Sequence, residues 1–176
     1  LAKELNAIVI TFDYRGIGKS KIGNSLKGVK AEYIDWALLD IPAISTFLKG
    51  KYPSLPLIHF GHSVGGQMIG LVPDLNQISG LITIGSAAGS LKHMKKAYKL
   101  KSWVFFELVR PISHLLFGYS KLKWLGLMED LPKNIVNSWR GWCSVDDYFF
   151  DPNYYPEIKP YDRFKQIPFP IDDPAY

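Results

Sequence analysis

The chain has 176 residues, 47 % of them hydrophobic, with Lys+Arg 21 against Asp+Glu 16 and a net charge of +5, which is material for one core and about one domain. The single Cys143 excludes an internal disulfide and a cysteine-based metal site, and fits a reducing, cytoplasmic setting. The longest apolar stretch, Trp103 to Phe117, is interrupted by Glu107, Arg110, Pro111 and His114 and is shorter than the roughly 20 residues a membrane-spanning helix needs.

Leu1 to Leu5 reads as the end of a helix, without an initiator methionine, so the chain reads as part of a longer protein. Ala7-Ile8-Val9-Ile10-Thr11-Phe12 predicts a buried strand. A loop rich in glycine and lysine follows from 13 to 30. Its segment Asp13-Tyr14-Arg15-Gly16-Ile17-Gly18-Lys19-Ser20 imitates two nucleotide motifs and satisfies neither. A phosphate-binding loop needs glycine where Asp13 stands, and a dinucleotide fingerprint needs a small residue where Lys21 stands.

From Tyr33 to Leu48 the apolar positions fall at helical spacing, with Pro42 expected to kink the helix or mark a boundary. The run Leu57-Ile58-His59-Phe60 then predicts a strand, and Gln67 to Leu71 a helix. Between them stands Gly61-His62-Ser63-Val64-Gly65-Gly66. Strand, sharp turn and helix around Gly-x-Ser-x-Gly is the context of a nucleophile elbow. In such a turn the serine is strained, its hydroxyl projects beyond the strand, and side chains two residues to either side would collide, so Gly61 and Gly65 are expected to shape it. The first amides of the following helix would face the reaction centre. Gly80 to Gly85 predicts a further buried strand, and the alternation of strands and helices predicts a parallel sheet.

Past residue 88 the character changes. Two helices are predicted, Lys95 to Leu116 (broken at Pro111) and Asn134 to Trp142, and the region carries Trp103, Trp124, Trp139 and Trp142. It reads either as a cap over the site or as a second packing layer. Lys92, Lys95, Lys96, Lys99 and Lys101 lie in one acid-free run and equal the whole charge excess. They form either a solvated helix face or a surface attracted to anionic lipid or an acidic substrate. No nucleic-acid motif accompanies them.

The Asp13-Tyr14-Arg15-Gly16-x-Gly18-x-Ser20 loop, followed some forty residues on by Gly61-His62-Ser63-Val64-Gly65-Gly66, resembles the α/β-hydrolase superfamily. Within it the chain resembles the serine-aminopeptidase and monoglyceride-lipase-like branch. Gly126-Leu127-x-Glu129-Asp130-Leu131-Pro132 and Trp139-x-x-Trp142-Cys143 are similar to phrases of bacterial hydrolases in that branch whose substrate is unassigned. The fold this resemblance implies is α/β, a central mostly parallel sheet flanked by helices, incomplete at both ends, with a helical cap insertion. Residues 1–88 would form the core with the elbow, 89–165 the cap, and 166–176 a return to the core.

The implied function is a serine hydrolase cleaving a carboxylic ester, lipid esters included, with a small-molecule substrate and no metal or organic cofactor. Ser63 would be the nucleophile and the Val64 amide one oxyanion donor, with His62 shaping the elbow or the pocket. The second donor would come from a loop before the first strand, and Arg15 would be structural. Asp173 is the candidate acid, with Asp172 beside it. Only Phe169-Pro170-Ile171 separates Pro168 from the pair, too short and too proline-rich for the strand expected there, so a plain loop turn is the competing reading. The triad order places the histidine after the acid, where three residues remain, and none of His59, His62, His93 and His114 fits. Residues 1–176 alone are therefore expected to be inactive. A non-catalytic binding or scaffold protein that kept the elbow is the alternative.

Overall fold

The computed structural model describes residues 2–151 other than Ile22 and Leu127. Asp172, Asp173 and the segment 166–176 lie outside the described residues.

Two strands, β1 (Ile58–His62) and β2 (Gly80–Ile84), pair in parallel, with Ile58 opposite Gly80 and His62 opposite Ile84. The connection between them holds the short helix α2 (Val64–Gln67) and a buried 3-10 turn, Met68–Leu71. Both predicted strands are present, but β2 is not buried: Ile82 and Ile84 are about half exposed, as are Ile58 and Phe60 of β1. A parallel strand is buried when elements cover both faces of its sheet, and among the described residues these two strands carry no such double cover.

Ala7 to Phe12 forms no strand, contrary to its β-branched composition. Ile8, Val9 and Ile10 are exposed, and the segment joins neither ladder of the described residues. Strand structure belongs to pairs of segments, since backbone groups must exchange hydrogen bonds with a neighbour. Before it, residues 2–6 make turns, with the Ala7 N–H donating to the Ala2 carbonyl at 2.9 Å.

The two prolines predicted to interrupt helices are accommodated in the same way. A π-helical turn, Trp36–Asp40, runs directly into α1 (Ile41–Lys51), with Pro42 in the first turn of α1. A second π-helical turn, Phe105–Val109, links α3 (Lys96–Val104) to α4 (Arg110–Phe117), with Pro111 in the first turn of α4. The Ile41 N–H donates to the Trp36 carbonyl, and the Arg110 N–H to the Phe105 carbonyl. Proline has no N–H to give and crowds the carbonyl four residues back, and the wider π turn relieves that crowding without ending the helix. So 96–117 is continuous, not broken at Pro111. Among the described residues no helix is long and apolar enough to cross a membrane.

One hydrophobic cluster joins both halves of the chain. Tyr33, Trp36, Ile41 and Met68 pack with Phe106, Ile135, Trp142 and Phe149. Tyr14 stacks on Trp36 at 4.7 Å between ring centroids, and Phe149 meets Trp142 edge-on at 4.3 Å. Phe106, Trp142, Tyr148 and Phe149 thus belong to the common core, whereas Tyr98, Trp103 and Trp124 are exposed. The helix α5 (Lys133–Cys143) is tied in by polar groups as well. Asn134 and Ser138 donate to the two carboxylate oxygens of Glu32 at 2.8 and 2.9 Å, and Arg140 pairs with Glu107 at 2.6 Å. Burial pushes the Cys143 thiol up to about 12, which keeps it protonated and unreactive at neutral pH.

Candidate active site

Ser63 follows the last residue of β1 and precedes the first residue of α2. Its backbone has φ 50 and ψ −118, one of three positive-φ non-glycine residues among those described. A conformation of this kind costs on the order of 1–3 kcal/mol and persists only where its surroundings impose it. The surroundings here are identifiable. The Ser63 N–H donates to the Ile84 carbonyl at 2.9 Å, extending the β1–β2 ladder by one bond. The Ser63 carbonyl accepts from the Gly66 N–H at 3.0 Å, the Gln67 N–H at 3.1 Å and the Ser86 hydroxyl at 3.0 Å.

Ser63 holds the N-cap position of α2, where a serine hydroxyl ordinarily accepts from a helix amide. It makes no cap hydrogen bond, whereas Ser90, in the same position before the turn Leu91–His93, accepts from the Lys92 N–H. Its side chain is exposed. The amides of Val64 and Gly65 open the helix, where N–H groups have no intrahelical acceptor.

The glycines divide differently from the sequence expectation. A β-carbon on Gly61 would lie 2.5 Å from the Gly66 nitrogen and 2.6 Å from the Gly65 carbonyl carbon, both backbone atoms. On Gly65 it would meet only the Tyr14 hydroxyl, at 3.6 Å, an ordinary contact. The second tight position is Gly66, where a β-carbon would run into the Ser86 side chain and come within 3.0 Å of the Thr83 β-carbon. Gly61 and Gly66, rather than Gly61 and Gly65, let the turn close against β1 and the end of β2.

Four side chains outside the Gly-x-Ser-x-Gly pattern support the turn. His59, on β1, donates through Nε2 to the Gly65 carbonyl at 3.0 Å. Burial lowers its pKa, keeping it neutral. Ser86 bonds the Ser63 carbonyl, as above. Gln67 donates to the Ala87 carbonyl and accepts from the Tyr148 hydroxyl at 3.4 Å. Tyr14 stands beside Gly65 with its pKa raised to about 12, by burial and then by the nearby Asp40. The contacts of Ser86, Gln67 and Tyr14 join segments distant in sequence, and the local sequence carries no signal for them.

Arg15 faces away from this chemistry. Its Nε and backbone N–H donate to the two carboxylate oxygens of Asp40 at 2.8 and 2.9 Å, and its carbonyl accepts from the Trp36 indole at 3.2 Å. Asp13 closes the same loop by accepting from the Lys19 N–H at 2.8 Å.

None of the four histidines hydrogen-bonds Ser63. His59 is engaged behind the turn. The exposed His62 ring lies beside Gly85, 3.8 Å from where a β-carbon on that glycine would stand. His93 is exposed at the turn Leu91–His93. His114 shares a 2.7 Å hydrogen bond with Ser120, and burial, helped by Arg110 and Lys133, holds its pKa down to about 4. Among the described residues no group of three or more histidine, cysteine or acidic side chains is placed to hold a metal. A cavity of about 450 Å³ opens between Trp103, Phe106, Leu91 and the Glu107–Arg140 pair, and no residue of 61–67 lines it.

A strand leading into a strained serine, a helix beginning on the next residue and a parallel neighbour strand that accepts the serine N–H are consistent with part of an α/β-hydrolase core. A family model described as serine aminopeptidase, S33, matches residues 2–131, and the chain belongs to that family of the α/β-hydrolase superfamily. No curated protein and no solved structure matches it. Hydrolase activity of the α/β-hydrolase type is the activity its family implies.

Proposed function

We propose that Ser63 is the nucleophile of a serine hydrolase that cleaves carboxylic esters through an acyl-enzyme. The observation that carries this reading is a serine whose backbone is strained and whose exposed hydroxyl caps nothing. Strain with no structural return is characteristic of functional positions. The hydroxyl oxygen attacks the ester carbonyl carbon while a histidine takes its proton, and the Val64 amide stabilises the oxyanion. The proton passes to the departing alcohol as the ester bond breaks. Water then attacks the acyl-serine, giving the carboxylic acid and free Ser63. We assign the acid partner to Asp173, and none of His59, His62, His93 and His114 is bonded to Ser63 as the base would be.

The four histidines of the chain, none bonded to Ser63, favour a second reading: a non-catalytic member that retains the turn for binding. A panel of p-nitrophenyl esters of increasing acyl length, run on the protein as its cell makes it, separates the two. The hydrolase reading expects turnover that falls by at least about 1,000-fold in Ser63→Ala. Equal turnover in both proteins would support the binding reading.

A further inference from the structure

The continuous helix 96–117 presents an apolar stripe to solvent. Leu100, Val104, Leu108, Ile112 and Leu116 recur every four residues and are 64, 39, 45, 56 and 67 % exposed, with Leu115 at 85 %. A stripe of that spacing drifts around a pure α-helix of 3.6 residues per turn. The wider π turn at Phe105–Val109 counteracts the drift midway and keeps the stripe on one side. The opposite side, Ser102, Phe106 and Ser113, is turned to the protein. Exposed apolar side chains gathered along one helix face mark a candidate interaction surface.

The charge around the stripe selects the occupant. Lys96 and Lys99 stand one turn before Leu100 and Trp103 on the same faces, with Lys95 and Lys101 alongside. All four are exposed, and among the described residues none of them makes an ion pair, whereas Lys92 is paired with Asp146. Glu107, the helix's only acid, is taken up by Arg140. A second copy of the chain seated on the stripe would bring like charges together. An anionic membrane would meet lysines and leucines at once, as interfacial helices do.

We propose that helix 96–117 docks the protein on anionic lipid surfaces, with Leu100, Leu108, Ile112, Leu115 and Leu116 entering the headgroup boundary and Lys95, Lys96, Lys99 and Lys101 holding the lipid charge. The docking is independent of the chemistry at Ser63.

The test is co-sedimentation with phosphatidylcholine vesicles with and without about 30 mol % phosphatidylglycerol, an anionic surface of the kind that attracts polybasic segments, alongside sedimentation velocity without lipid. The expected result is binding to the anionic vesicles alone. That binding should weaken at least about tenfold when the four lysines are changed to glutamine, and again in Leu115→Ser/Leu116→Ser. Those side chains are exposed, so circular dichroism should be unchanged. Absence of vesicle binding, binding insensitive to the lysine changes, or a lipid-free dimer abolished by the leucine changes would each overturn the proposal.

Discussion

Ser63→Gly is expected to make the protein more stable by about 1 kcal/mol while removing its activity. The backbone at φ 50 and ψ −118 strains a serine and suits glycine. Relief of about 1–3 kcal/mol is partly offset by the greater freedom of glycine in the unfolded chain, about 0.5–1 kcal/mol. Ser63→Ala keeps its β-carbon and therefore the strain, so it should be inactive without the gain. Urea unfolding of the three proteins checks this. A serine held for structural reasons would instead lose stability in both variants.

Gly61→Ala is expected to cost about 2–4 kcal/mol and to take activity with it, because the new methyl must displace the backbone at Gly65 and Gly66. Gly65→Ala, four residues away in the same motif, should change stability by less than about 1 kcal/mol, with a gain favoured by its place in α2. The contrast is sharp because a pattern reading treats these two glycines alike. Thermal denaturation of both variants measures it, and equal losses would mean the turn closes differently from the packing described.

Much of the architecture was readable from periodicity and punctuation. Both strands that frame the serine turn, their parallel order and the helix over 134–142 follow from local patterns, and the structure has β1, β2 and α5 there. What local pattern could not supply was anything decided by a partner. Ala7 to Phe12 has strand composition and no ladder neighbour among the described residues. Ile82 and Ile84 have core composition and half-exposed side chains. Pro111 was expected to break a helix, and a π turn absorbs it instead.

The site divides along the same line. Ser63, its flanking elements and the Val64 amide are contiguous in sequence, so a five-residue motif carries them. Gly66 against Ser86 and Gln67 bridging Ala87 and Tyr148 depend on segments brought together by folding. The aromatic residues beyond 88 were equally compatible with a cap or a packing layer. Trp142 and Phe149 lie in the common core, whereas Trp103 is half exposed at a cavity rim. The candidate acid, Asp173, lies outside the described residues.

The most direct test of the central claim is fluorophosphonate labelling of the protein as its cell makes it, beside its Ser63→Ala variant, with the modified peptide located by mass spectrometry. A single adduct on Ser63 that vanishes in the variant is the expected result, and establishes an activated nucleophile at this turn. Absence of labelling, or labelling that persists in Ser63→Ala, would contradict the account and leave the strained serine as architecture.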